Sequence, residues 1–589
     1  MLRREFIQWS VLSLGMLGCR RDDYIAPGDG VPVIDIHCHV FNASDLATTR
    51  FLKEVVLEKF PEQAARLMDV RDPDVTDRLL QLFLLLVGAN KAPTADQEIT
   101  YLRGRAQPVK SAISITAARE SAIDDTAAFL LSLDQRSGTS AVQSAARQGQ
   151  DEGDRKFLTY MLGETTIRRS SSGLDAPTAR NASVRAFSGL GMISTYLNWF
   201  ALFRTYRHVL LEQLSSDLRR QGFEPVMLCP ALVDMDEWLY EDVKSPLSRQ
   251  AEVMGIISAR MARKNEPVVH GYIGVDPLRE VIHRIKGGAS SLQIAHDALT
   301  RHGFMGVKLY PPMGFRASGN RGPYPRRVVN SLGFDPSERL DAALRDLYVM
   351  CDELDAPIIA HGYASNEAGP DYALRADPAY WLPVFREFPR LRICLAHFGR
   401  FDIKSAGHAG RDLPEASWEW VLGEYIKANP RQRIFVDISY FSEGLNDSRE
   451  SRARLAATFK RWIAAFDPSA EHVMFGTDWI MLGKEQGYEQ YVEKLQAFLR
   501  DQCGLSDAQL ERIFRRNAET FLPLQAGSAG RRRLQKFYQE NGLDEGRLPV
   551  NGGWSQGLLR RGRGACCMGR AQHHVPQRAS ILRYLVSGG

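Results

Sequence analysis

Val33-Ile34-Asp35-Ile36-His37-Cys38-His39-Val40 is the stretch from which the rest of the chain is read. It is a short apolar, β-branched run that ends in a His-x-His pair, the pattern of a buried strand. Side chains alternate faces along a strand, so His37 and His39 point the same way with Cα atoms roughly 7 Å apart. Both imidazoles can then reach one metal ion, while Cys38 points into packing.

Working outward, the same rhythm returns only from residue 224. Short apolar runs at 225–233, 268–275, 305–309, 357–361, 391–397, 433–438 and 472–475 alternate with amphipathic helical stretches. With 33–40 they make eight. Eight strands with helices between them predict an α/β fold, a (β/α)8 TIM-like barrel. Catalytic residues of such barrels sit at the C-terminal ends of the strands. His37, His39, Lys308, His361, His397 and Asp478 all fall there.

The intervening residues 44–220 carry no strand rhythm and predict a large helical insertion after the first strand. Within it 77–87 and 123–133 read as helical, and 184–221 as long helical structure broken near Gly189 and Gly191. Residues 170–181, with Ser, Gly and Pro, read as a loop.

Five segments together resemble the amidohydrolase superfamily, in particular its amidohydrolase-related (family 2) metal-dependent hydrolases and decarboxylases. They are Asp35-Ile36-His37-Cys38-His39, Gly306-Val307-Lys308-Leu309-Tyr310-Pro311, Ile359-Ala360-His361, Leu395-Ala396-His397-Phe398-Gly399 and Phe475-Gly476-Thr477-Asp478-Trp479. Asn517-Ala518-Glu519-Thr520-Phe521 is similar to the family's closing helix. The resemblance covers about 31–41 and 224–524 and leaves out the insertion and the tail.

The resemblance implies that His37, His39, His361 and Asp478 hold one divalent metal. Three imidazoles and a carboxylate suit Zn2+, with Mn2+ as the other candidate. Asp478 would orient a water that the ion activates and take its proton; His397 would polarise the substrate or shuttle protons. Lys308 is carboxylated and bridges two metals in some members; unmodified, it would bind a substrate carboxylate. A mononuclear site is the expectation here. The loop 311–327 carries Arg316, Arg321, Arg326 and Arg327, and Arg316 is a candidate clamp for an anionic substrate. The loop after the fifth run adds Asn366, Glu367, Asp371 and Tyr372. Asp35 is expected to have a supporting role.

Composition narrows the partners. The chain has 589 residues, 44% hydrophobic and 25% charged, within the globular range. Its net charge of +5 is local, because residues 525–589 carry ten Arg and one Lys against three acids. The body is therefore net negative and is not a nucleic-acid-binding surface; a small-molecule substrate is expected. Eight scattered cysteines with no C-x-x-C predict no disulfide framework. The Gly- and Arg-rich tail from 525 predicts disorder.

The N-terminus reads as a targeting segment. Arg3-Arg4-Glu5-Phe6-Ile7 resembles a twin-arginine export motif and Leu17-Gly18-Cys19 a lipobox. Residues 1–23 are thus expected to direct export, giving a periplasmic or membrane-anchored lipoprotein tethered through Cys19. The resulting picture is an exported metal-dependent hydrolase acting on a C–O or C–N bond of a small molecule. The alternatives are a metal-dependent decarboxylase of a small carboxylic acid and an inactive barrel serving as a tethered binding protein.

Overall fold

The computed structural model describes residues 26–548, apart from 51, 53–71, 89, 138–147, 164–173, 190, 265, 366–371 and 409. The export segment with Cys19, the loop residues Asn366, Glu367 and Asp371, and the tail beyond 548 lie outside the described residues.

The predicted apolar runs are the strands. They are β1 (Val31–Cys38), β2 (Phe223–Pro230), β3 (Val268–Val269), β4 (Tyr272–Gly274), β5 (Gly306–Leu309), β6 (Ile358–His361), β7 (Arg392–Ala396), β8 (Arg433–Asp437) and β9 (Val473–Met474). All pair in parallel, as β1-β2-β3 and as β4-β5-β6-β7-β8-β9. The predicted run 268–275 is two strands because it breaks at His270-Gly271. A side chain at Gly271 would meet the Pro230 carbonyl oxygen at 2.2 Å, so the two backbones approach there only through glycine. An isolated bridge pairs Ala231 with Tyr272, joining β2 to β4 across the break. At the other edge Ile36 N–H donates to Phe475 O at 3.3 Å and Asp478 N–H to His37 O at 2.7 Å, tying the end of β9 to β1.

Parallel strands need crossovers, and amphipathic helices supply them. Leu247–Arg263, Ser337–Leu354, Trp418–Ala428 and Arg449–Phe466 each lie between successive strands with buried apolar faces.

Between β1 and β2 the chain is helical: Pro73–Val87, Ala95–Leu102, Ile115–Ser137, Gln148–Leu162, Ala176–Ser188, Met192–Leu202 and Arg207–Arg220. The predicted break near Gly189 and Gly191 is present, and a second falls at 203–206. One expectation is corrected. Residues 176–181 are helix rather than loop, because Asp175 caps Thr178 N–H and Pro177 sits in the first turn. Proline there starts a helix instead of ending it.

The expectation of a disordered tail from 525 is also corrected for its described part. Ala529–Glu540 is a helix with Leu534, Phe537 and Tyr538 buried at spacing i, i+3, i+4. They join Ile34, Ile36, Met227, Cys229, Met305, Cys394, Phe435 and Met474 from the strands in one apolar cluster. Its arginines are used as well. Arg533 donates to the carbonyls of Leu299, Phe304, Met305 and Leu354, near the C-terminal ends of two helices, where cations are favoured.

Candidate metal centre

His37 is the penultimate residue of β1, and His39 follows just past the strand's end, both buried with ring centroids 5.3 Å apart. Each ring is oriented by what its Nδ1 touches. His39 Nδ1 lies 2.7 Å from the carbonyl of Ala231, which only accepts, so Nδ1 donates there and Nε2 is the atom turned to Asp478. His37 Nδ1 faces Asp437 Oδ2 at 3.1 Å and Ser439 Oγ at 3.0 Å. His397 Nδ1 faces Ser439 Oγ at 3.0 Å and Ser439 O at 3.3 Å. All three rings therefore present Nε2 as a donor atom, as metal-binding imidazoles must.

Asp478 completes this face. Its Oδ1 is 3.1 Å from His39 Nε2 and 3.6 Å from His37 Nε2. The ligand atoms of His37, His39 and Asp478 all lie within 4.8 Å of one another. Those of His37, His397 and Asp437 do too, but that set is consumed by its own hydrogen bonds. His361 enters from β6, its ring centroid 4.5 Å from that of His397 and 4.4 Å from that of Tyr310. His361 Nε2 is buried without a hydrogen-bond partner. A buried ring nitrogen without a hydrogen-bond partner, in a ring that packs on His397 and feels the Asp478 charge, suits a metal ligand.

Burial pushes the His37, His361 and His397 rings well below the ordinary imidazole pKa, with Lys308 and neighbouring rings adding to the effect, so all three are neutral. Burial raises the Asp478 pKa, but the contacts with His39, His37 and Lys308 outweigh it and hold the carboxyl below its usual range. Neutral rings at His37 and His361 and an ionised Asp478 are protonation states that a divalent cation requires.

Two site residues, His397 (φ 64°) and Asp478 (φ 56°), have left-handed backbones. Such strain persists only where neighbours over-determine it. Asp437 does this for His397, accepting from its N–H at 3.1 Å, and its carbonyl takes the Phe398 N–H at 2.7 Å. Asp35 does it near Asp478, accepting from Thr477 N–H at 3.0 Å, Thr477 Oγ1 at 2.6 Å and His37 N–H at 3.2 Å. Burial raises the Asp35 pKa to about 7, against those hydrogen bonds.

Lys308 lies inside the site. Its Nζ is 2.8 Å from His37 Nε2, donating to the lone pair an ion would use. Burial lowers its pKa to about 8, opposed by Asp437 and Asp478. Arg316 is held by its own loop: its Nη1 donates to Gly319 O at 3.3 Å and its guanidinium covers the Tyr380 ring at 4.6 Å. It makes no contact with the histidines or Asp478. Asp437 and Ser439, which hydrogen-bond to the rings of His37 and His397, are the site neighbours that sequence reading missed. Their signal is the polar i, i+2 pair at the end of the seventh run, the same pattern as His37 and His39.

The profile of a family described as Amidohydrolase matches residues 202–524, just over half of the chain. The match includes His361, His397 and Asp478 and starts well after the His37/His39 pair. No curated protein matches the chain. Among solved structures, an uncharacterized TIM-barrel protein, Bb4693 from Bordetella bronchiseptica, is 17% identical with a TM-score of 0.32, over 54% of this chain and 83% of that one. An amidohydrolase from Burkholderia multivorans with bound HEPES is 13% identical with a TM-score of 0.32, over 52% of this chain and 86% of that one. With half its length under that one profile, the chain belongs to the amidohydrolase family.

Proposed function

We propose that this chain is a metal-dependent hydrolase acting on a C–O or C–N bond of a small molecule. Its fold is read as a (β/α)8 barrel in which 44–220 are a helical insertion after the first strand. The observations that support the reading are the His37, His39 and Asp478 ligand atoms gathered within 4.8 Å of one another and the buried, unpartnered Nε2 of His361, whose ring lies beside that of His397.

His37, His39, His361 and Asp478 would hold one divalent ion, with Zn2+ the best match to three imidazoles and a carboxylate. When bound, the ion supplies Lewis acidity that lowers the pKa of a water and polarises a carbonyl. The chain's own residues do the rest. Asp478, ionised, accepts the proton of the attacking water at a carboxylate oxygen. It returns that proton to the leaving oxygen or nitrogen as the C–O or C–N bond breaks. His397, fixed through Nδ1 by Ser439, would use its Nε2 to polarise the substrate or shuttle protons. Asp437 keeps the His37 proton on Nδ1.

The test is elemental analysis of the purified protein beside His361→Ala and Asp478→Ala, followed by a screen of esters, lactones and amides for hydrolysis products. About one metal per chain, lost in both variants together with hydrolysis, is expected. Carbon dioxide release from carboxylic acids in place of hydrolysis would make the enzyme a decarboxylase. Well-folded protein that takes up neither zinc nor manganese would end the enzyme reading.

A further inference from the structure

Lys484 closes the short turn Met481–Lys484 that follows Asp478 and Trp479. The turn is anchored on both sides. Leu482 N–H donates to the Asp478 carbonyl at 3.1 Å, and the Trp199 indole N–H, from the helix Met192–Leu202, donates to Ile480 O at 2.8 Å. Lys484 Nζ lies 5.3 Å from the centroid of the Tyr440 ring, within cation–π range. Tyr440 belongs to the loop after β8. Its carbonyl accepts from Arg400 Nη2, and Arg400 Nη1 donates to the His397 carbonyl at 3.0 Å. The ammonium therefore stands between the loops after β8 and β9, at the end of the sheet that carries His397 and Asp478. It is close enough to Asp478 to feel its charge.

Partner accounting separates this cation from the others nearby. Arg400 gives Nε to Glu443 at 2.8 Å and its remaining donors to carbonyls. Arg375 binds the carbonyls of Gly314 and Pro323 between two tyrosine rings. Lys484, partly buried, has no hydrogen bond and no carboxylate at ion-pair distance among the described residues. The adjacent Glu485 accepts from Tyr440 Oη instead. A partly desolvated ammonium that feels Glu485 and Asp478 but hydrogen-bonds to neither is costly to keep, and a charge-assisted hydrogen bond to an incoming anion offsets that cost.

We infer that Lys484 is an anion-binding residue at the rim of the metal centre, and that the substrate carries a carboxylate that pairs with the Lys484 ammonium. This deepens, and rests on, the reading of the centre as a hydrolytic metal site.

The experiment compares binding of benzoate with that of the neutral, near-isosteric benzamide by calorimetry. It uses the full zinc-supplemented protein beside Lys484→Met and Lys484→Arg, with zinc content measured for each. Wild type is expected to prefer benzoate by roughly tenfold, the value of one charge-assisted hydrogen bond. Lys484→Met should lose the preference at unchanged zinc content, and Lys484→Arg should keep it. Retention of the wild-type preference in Lys484→Met, or its absence from the wild type, overturns the inference. Zinc-free protein that still loses the preference in Lys484→Met would sink the hydrolase reading alone.

Discussion

Asp437 Oδ2 lies 3.1 Å from His37 Nδ1, a fully buried pair whose members are 400 residues apart in the chain. The carboxylate fixes the ring's tautomer and orientation and makes Nε2 a better donor. Asp437→Asn keeps the shape but removes the charge. Zinc affinity, read by competition with a chromogenic chelator, is expected to fall roughly 10–100-fold. Unchanged affinity would mean that His37 needs no such partner.

Gly476 lets the end of β9 approach β1. A Cβ there would lie 2.8 Å from His37 Cβ and 3.2 Å from Ser439 Cβ. Both are short side-chain stems with little room to move. Gly476→Ala is expected to destabilise by about 1–3 kcal/mol through overpacking and to weaken zinc binding by displacing His37. A thermal melt together with a zinc titration checks both; a variant that binds zinc normally would show that the strands can separate without cost to the site.

Arg207 is fully buried between two carboxylates, at 3.0 Å from Asp45 Oδ2 and 2.8 Å from Glu98 Oε2. It ties the helical region to the segment just after His39. Arg207→Met leaves both acids buried without their cation, and a loss of about 3–5 kcal/mol is expected by urea unfolding. A loss below about 1 kcal/mol, the range of exposed pairs, would show that water reaches the cluster.

His270 sits at the break between β3 and β4, with Nδ1 2.8 Å from Gly303 O and Nε2 3.1 Å from Tyr538 Oη. Burial lowers its pKa to about 4, with the Gly303 hydrogen bond opposing. The unfolded chain, with an ordinary imidazole pKa near 6.5, binds the proton first as pH falls. This residue's contribution to stability is thus complete above pH ~6.5 and is lost as pH falls towards ~4, about 3 kcal/mol in all. Unfolding curves of wild type and His270→Gln should converge across that window. Parallel curves would rule out His270 as the source.

Phe537 is 3% exposed and packs on His270 with ring centroids 6.1 Å apart. Phe537→Ala is expected to cost about 3–5 kcal/mol, the range for a buried aromatic truncation. An exposed or mobile tail residue would give less than about 0.5 kcal/mol.

Much of this was legible before any coordinates. The polar residues at the ends of apolar runs, His37, His39, Lys308, His361, His397 and Asp478, are brought to one end of the sheets. Where Arg316 rests was not legible, because loop arginines look alike in sequence; the structure sets it on the Tyr380 face and the Gly319 carbonyl. The helix Ala529–Glu540 was hidden by composition. Its Leu534, Phe537, Tyr538 stripe was present, but arginines argued for solvent, and Arg533 is half-buried because helix-end carbonyls receive it. Ala176–Ser188 was hidden by Pro177, whose role depends on whether the helix begins or ends there.

The sequence by itself determined which residues could be ligands, because alternation along a strand assigns a face and the strand's end assigns a position. The tertiary structure decided which groups meet and in what state. Asp437 reaches His37, Lys308 donates to the same ring, and His361 Nε2 is left without a partner only once parallel strands far apart in sequence are neighbours. Pairing between strands depends on long-range packing, and burial, which sets each group's protonation, exists only in the folded chain.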